Sequence, residues 1–194
     1  MLPFPLGVIV LLPAAAGVVW LDLVERLIAT PWWLVFAGVP AGYVLVVIST
    51  VVTSRRGLRF AGRQLVATIA APFTTRLPVT TVLRGVAVAT GEKLLFRLLG
   101  LWLLGQGALG VVVTSVVFAL AHLLGARPGR ATATLVDAVL CGAALAAVYI
   151  LTGGVLAAVV AHVVRNLSLD ALRLAREVAR SRAAAEEGEG SGGR

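Results

Sequence analysis

Residues 32–53 read WWLVFAGVPAGYVLVVISTVVT. No Asp, Glu, Lys or Arg interrupts them, and about 20 mostly apolar residues is what a helix needs to cross the hydrocarbon core of a bilayer. Pro31 stands at the entry, where a helix loses nothing by a missing N–H. Trp32 and Trp33 suit the membrane–water boundary. Outward from this stretch, five further apolar runs are read as spans: residues 6–23, 82–104, with Trp102 near its end, 108–124, 131–151 and 155–172.

Composition agrees. Of 194 residues, 59% are hydrophobic and only 13% charged, and the mean hydropathy is +0.99. A soluble domain carries roughly 25% charged residues, so there are too few polar side chains here to cover a water-facing surface. The fold class read from this is an all-α membrane protein, a bundle of about six transmembrane helices. Residues 54–81 form a different kind of stretch. They hold five arginines, and their apolar part, 65–73, is too short to cross, so an interfacial or re-entrant helix is expected. Residues 1–176 are expected to form one membrane domain. Residues 177–194, charged and then Gly-rich, are expected to be a disordered cytoplasmic tail. The first six residues carry no Lys or Arg, so the run from residue 6 is read as a retained span rather than a signal peptide.

The net charge of +8 does not point to nucleic acid. Sixteen arginines and a single lysine make up the basic residues, and most sit beside apolar runs, where they set topology against an anionic inner leaflet. With six spans, the arginines of 54–81, Arg127, Arg130, Arg173, Arg176, Arg180 and Arg182 all fall on one side. Arg26, near Asp22 and Glu25, falls on the other. Both termini are therefore expected in the cytoplasm. Cys141, the single cysteine, cannot form an intrachain disulfide and is read as a small buried residue.

Ionisable residues inside spans are costly and mark functional sites by default. Three groups stand out: Glu92-Lys93-Leu94-Leu95-Phe96-Arg97 in the third span, Phe118 to His122 in the fourth, and His162 to Asn166 in the sixth. Each alone admits a structural explanation: a Glu92–Arg97 ion pair with Lys93 snorkelling, an interfacial His122, and a His162/Asn166 pair bonding helices together. His162 and Asn166 are four apart and share a helix face. Together, Glu92, both histidines of the chain and Asn166 are expected to converge on one polar cavity.

In this order the three groups resemble the CPBP family of intramembrane proteases, which includes the type II CAAX prenyl endopeptidases and whose pattern is EExxxR, FxxxH, HxxxN. Glu92 and Arg97 match the first motif, Phe118 and His122 the second, His162 and Asn166 the third. The LLFR run at 94–97 and the SxxFxxxH spacing from Ser115 to His122 are similar too, as is the turn between Tyr149 and Gly154. The resemblance covers residues 83–172. Lys93 stands where the family has its second glutamate.

The resemblance implies an intramembrane endopeptidase. Glu92 and His122 would hold and deprotonate a water, while His162 and Asn166 would donate to the oxyanion. Phe118 would set the rotamer of His122, and Arg97 would anchor its helix. No metal is favoured: the two histidines and a glutamate are a conceivable zinc set, but no HExxH spacing is present. The implied partners are a membrane-anchored protein substrate and the bilayer, with no nucleic acid. Some bacterial members act in C-terminal protein sorting, as myxosortases do. The Ala-, Gly- and Arg-rich composition fits a bacterial inner-membrane protein, for which prenylated substrates are not expected. A second reading is a non-catalytic relative, a pseudoenzyme or immunity-type factor that binds a membrane segment without cutting it; Lys93 favours it. A small transporter is the weakest reading, since no internal repeat is seen.

Overall fold

The computed structural model describes residues 31–53, 58–124, 129 and 131–191. The expected first span, the Asp22/Glu25/Arg26 cluster, and Arg55, Arg56, Arg127 and Arg130 lie outside them. Among the described residues every element is helical: α1 (Trp32–Phe36), α2 (Gly38–Thr53), α3 (Leu58–Thr74), α4 (Val79–Lys93), a π-helical segment (Leu94–Leu99), α5 (Gly100–Leu104), α6 (Ala108–Leu123), α7 (Ala131–Thr152) and α8 (Val155–Ser191). Lipid offers no hydrogen bonds, so a spanning segment must satisfy its backbone internally, and helices do this.

Among the described residues three helices are long and apolar enough to cross a membrane, Trp32–Thr53, Ala131–Thr152 and Val155–Ala184, and Ala108–Leu123 is a shorter apolar helix. The chain is thus an all-α integral membrane protein. The third expected span is not uniform α-helix. It changes to π hydrogen bonding directly after Glu92 and Lys93 and returns to α at Gly100. π turns inside α-helices are frequent at functional sites.

The core forms where α2, α5, α7 and α8 meet, through Leu45, Leu101, Leu145, Tyr149 and Ala158. Small residues let α2 and α8 approach closely. A Cβ added at Gly38 would lie 2.4 Å from the carbonyl oxygen of Ala157, and one at Gly42 would lie 2.7 Å from that of Ala161. This is the small-xxx-small packing of membrane helices, whose association rests on van der Waals contact and polar bonds instead of the hydrophobic effect. Large apolar side chains such as Val44, Leu103, Leu109 and Leu151 face outward. At the α7–α8 turn Gly153 takes φ +67°, a left-handed conformation that favours glycine.

The segment expected to be interfacial or re-entrant is α3, longer than its apolar stretch. Its Ala71 packs on Ala171 and Leu172 of α8, while Val66 and Phe73 are exposed. α8 continues as helix to Ser191, through the charged stretch read from sequence as disordered. Alanine, arginine and glutamate there are all good helix formers.

Candidate functional site

Three helices bring the three motifs together. Glu92 lies in the last turn of α4, His122 in the last turn of α6, and His162 in the second turn of α8. The Glu92 carboxylate stands between the two imidazoles: Oε1 is 3.7 Å from His122 Nε2, and Oε2 is 3.5 Å from His162 Nδ1. His162 is buried, Glu92 largely so, and His122 is the most open of the three at 36% exposure. His122 Nδ1 lies 2.9 Å from the Phe118 carbonyl. A carbonyl only accepts, so Nδ1 carries the hydrogen and Nε2 is the nitrogen turned to Glu92.

Both contacts to Glu92 are longer than a good direct hydrogen bond. Glu92 Oε2 and His162 Nδ1 are buried without a hydrogen-bond partner among the described residues. They face each other at 3.5 Å, and neither is open to solvent.

Phe118 is the centre of the packing. Its ring centroid is 4.3 Å from that of His122, 6.2 Å from that of His162 and 5.4 Å from that of Phe96. It is 2% exposed, and its contact with His122 restricts the imidazole.

The structural alternative for this group, a Glu92–Arg97 ion pair with a snorkelling Lys93, is not what the structure shows. Lys93 is fully buried, with Nζ 4.5 Å from the Phe118 ring centroid and no hydrogen-bond partner among the described residues. Arg97 is equally buried. It donates to the Gly142 carbonyl at 2.7 Å and to Thr114 Oγ1 at 3.2 Å, joining the π segment to α6 and α7. The reason is rotational. Lys93 and Arg97, four apart, lie on one helix face and both point to Phe118, whereas Glu92, one residue earlier, is turned about 100° away. Gly142 makes room for the guanidinium, since a Cβ there would sit 3.2 Å from Nη2.

Asn166 is the fourth motif residue, and the oxygen of its amide is engaged: Oδ1 accepts from Arg165 Nη1 at 3.1 Å. Arg165 also donates from Nε to Ser49 Oγ (2.8 Å) and from Nη2 to Asp137 Oδ2 (2.5 Å). The single cavity expected for all four motif residues therefore takes another form. A cleft of about 40 Å³, room for roughly two or three waters, is lined by His122, His162, Thr134, Asp137, Cys141 and Arg165. Glu92 and Asn166 are not among its lining residues. Asp137 and Arg165 were missed by motif reading, although a signal existed. Asp137 is the one acidic residue of the fifth span and Arg165 a charge within the sixth, and intramembrane charges are functional hypotheses by default. Among the described residues no group of three or more His, Cys, Asp or Glu side chains is arranged to hold a metal ion.

Comparison with known proteins agrees with the motifs. The family model described as type II CAAX prenyl endopeptidase Rce1-like matches residues 74–168, a segment that contains Glu92, Arg97, Phe118, His122, His162 and Asn166. The matched segment is a little under half of the chain. No curated protein and no solved structure matches the chain.

Proposed function

We propose that this protein is a glutamate-dependent intramembrane endopeptidase that cuts a membrane-anchored protein. The observation that carries this reading is the convergence of both histidines of the chain on the two oxygens of one largely buried carboxylate. A water hydrogen-bonded to Glu92 gives its proton to the carboxylate as its oxygen attacks the scissile carbonyl carbon. His122 Nε2 helps to hold that water. The carbonyl electrons move onto oxygen, and the oxyanion accepts hydrogen bonds from His162 and Asn166. Once protonated, Glu92 can donate to His162 Nδ1, which leaves His162 Nε2–H as the oxyanion donor. Collapse of the tetrahedral intermediate breaks the C–N bond, and the proton on Glu92 passes to the leaving amine. The site as proposed needs no metal.

The arginine asymmetry supports an orientation with both termini in the cytoplasm, and the composition supports a bacterial inner membrane. C-terminal processing of an anchored protein, as in sorting, is the role proposed. Lys93, in place of a glutamate, favours a second reading, a binding protein that does not cut.

Glu92→Gln separates the two. Gln has nearly the same size and can still bond a water, but it cannot take the proton. Loss of a general base typically costs about 10²–10⁴-fold in rate. The variant should fail to complement a deletion strain while present at normal level by blot, and substrate C-termini in the membrane proteome should shift between wild-type and deletion strains. Full complementation by Glu92→Gln would replace the protease reading with the binding one.

A further inference from the structure

Arg165, Asp137 and Ser49 belong to none of the three motifs, yet they build a polar network across three helices beside the site. Arg165 uses all three guanidinium nitrogens: Nε to Ser49 on α2, Nη2 to Asp137 on α7, and Nη1 to the Asn166 amide oxygen on its own helix. Arg165 and Asp137 are each 14% exposed, and both line the cleft with His122 and His162. A charge inside a membrane bundle needs a counter-charge, which Asp137 supplies. That alone does not explain the third bond.

We propose that Arg165, held by Asp137 and Ser49, is a positioning residue that fixes which end of the Asn166 amide is offered to the substrate. The argument is one of hydrogen-bond polarity. A guanidinium has donors only, so the amide atom that meets it must be the oxygen. With Oδ1 occupied, the free end of Asn166 is its NH₂ group, and a hydrogen-bond donor is what an oxyanion requires. Without the guanidinium the amide can rotate and turn its oxygen toward the developing negative charge. Ser49 and Asp137, on α2 and α7, prevent Arg165 from swinging with its own helix, so the amide is referenced to the bundle. This inference rests on the proposed role of Asn166 as an oxyanion donor and adds to it a clamp made of residues outside the motifs.

The test uses the fact that Asn166 is the single asparagine of the chain. Labelling with ¹⁵N-asparagine in the full-length protein in lipid nanodiscs gives one side-chain amide to observe, with no substrate needed. In the wild type its NH₂ should be as rigid as ordered backbone, with an order parameter of about 0.85. The pair variant Asp137→Leu/Arg165→Met removes both charges together, so no orphaned charge destabilises the bundle; such replacements are often neutral for stability. The order parameter should fall below about 0.6, and complementation should weaken by up to the roughly 10²–10³-fold of a lost oxyanion donor at normal protein level. If the pair variant does not accumulate, Arg165→Lys serves instead. It keeps a charge opposite Asp137, but one ammonium cannot span three partners, and the same loss of order is expected.

An NH₂ group as rigid in these variants as in the wild type would overturn the clamp. So would a mobile amide with full complementation, since orientation would then not matter to cleavage. Full complementation by Asn166→Ala would overturn the premise instead, by removing Asn166 from the chemistry whatever the relaxation shows, so the two failures are distinguishable.

Discussion

Replacing Lys93 by methionine should make the protein more stable without impairing cleavage. Lys93 is fully buried, Nζ has no hydrogen-bond partner among the described residues, and it stands over the Phe118 ring, 4.5 Å from the centroid. A buried polar group without a partner costs about 1–3 kcal/mol, more when charged. Against that stands the cation–π contact with Phe118, about 0.5–2 kcal/mol. Methionine has similar length and fills the same volume. Its thioether recovers about 0.3–1.5 kcal/mol against the same ring. The two aromatic contributions nearly offset, so the balance should follow the removed orphan, a gain of about 1–2 kcal/mol. For a chain of this length each kcal/mol moves the unfolding midpoint by about 2–4 °C, so a rise of about 2–8 °C is expected. The measurement is thermal unfolding of wild type and Lys93→Met in the same detergent, with complementation scored in parallel. A midpoint lowered by several degrees would refute the reasoning and show that Lys93 has a partner that stabilises it. Lost complementation at normal protein level would show instead that Lys93 takes part in the chemistry.

Lys93→Glu, which would complete the acidic pair of the motif that residues 92–97 resemble, should leave complementation intact if Glu92 holds the base position as proposed; loss would assign Lys93 a chemical role. Arg97→Lys should lower stability by about 1–3 kcal/mol, the cost of stranding one buried partner, since an ammonium cannot serve both Gly142 and Thr114; an unchanged unfolding midpoint would show that the bridge from the π segment to α6 and α7 contributes nothing. Gly42→Leu should abolish accumulation of folded protein, because its Cβ would meet Val164 Cβ at 2.6 Å and the Ala161 carbonyl at 2.7 Å; normal levels would count against the close α2–α8 contact. A C-terminal reporter active only outside the cytoplasm should stay silent, and strong activity would reverse the proposed orientation.

Much of this protein is legible in its sequence because lipid is a simple solvent. Apolar runs of spanning length in a chain poor in charge leave few alternatives to helices, and the spans read from residues 32 to 172 coincide with helices in the structure. The same economy exposes the site: where charges are scarce, Glu92, His122 and His162 are conspicuous, and the structure brings the two imidazoles within 3.7 Å of the Glu92 carboxylate. What each polar group faces was decided only by tertiary packing. One residue along a helix is a turn of about 100°, so Glu92 and Lys93, adjacent in sequence, look to different neighbours: one to the histidines, the other to the Phe118 ring. The π segment shifts the register again, and Arg97 reaches Gly142 and Thr114 in place of the glutamate five residues before it. Arg165 and Asp137 are 28 residues apart on different helices, and no periodicity within either span announces their bond. Local pattern determines where a chain is helical and that its few charges must be sheltered. Which charge meets which partner depends on the rotation of each helix against its neighbours, set here by where Gly38, Gly42 and Gly142 allow backbones and side chains to come close.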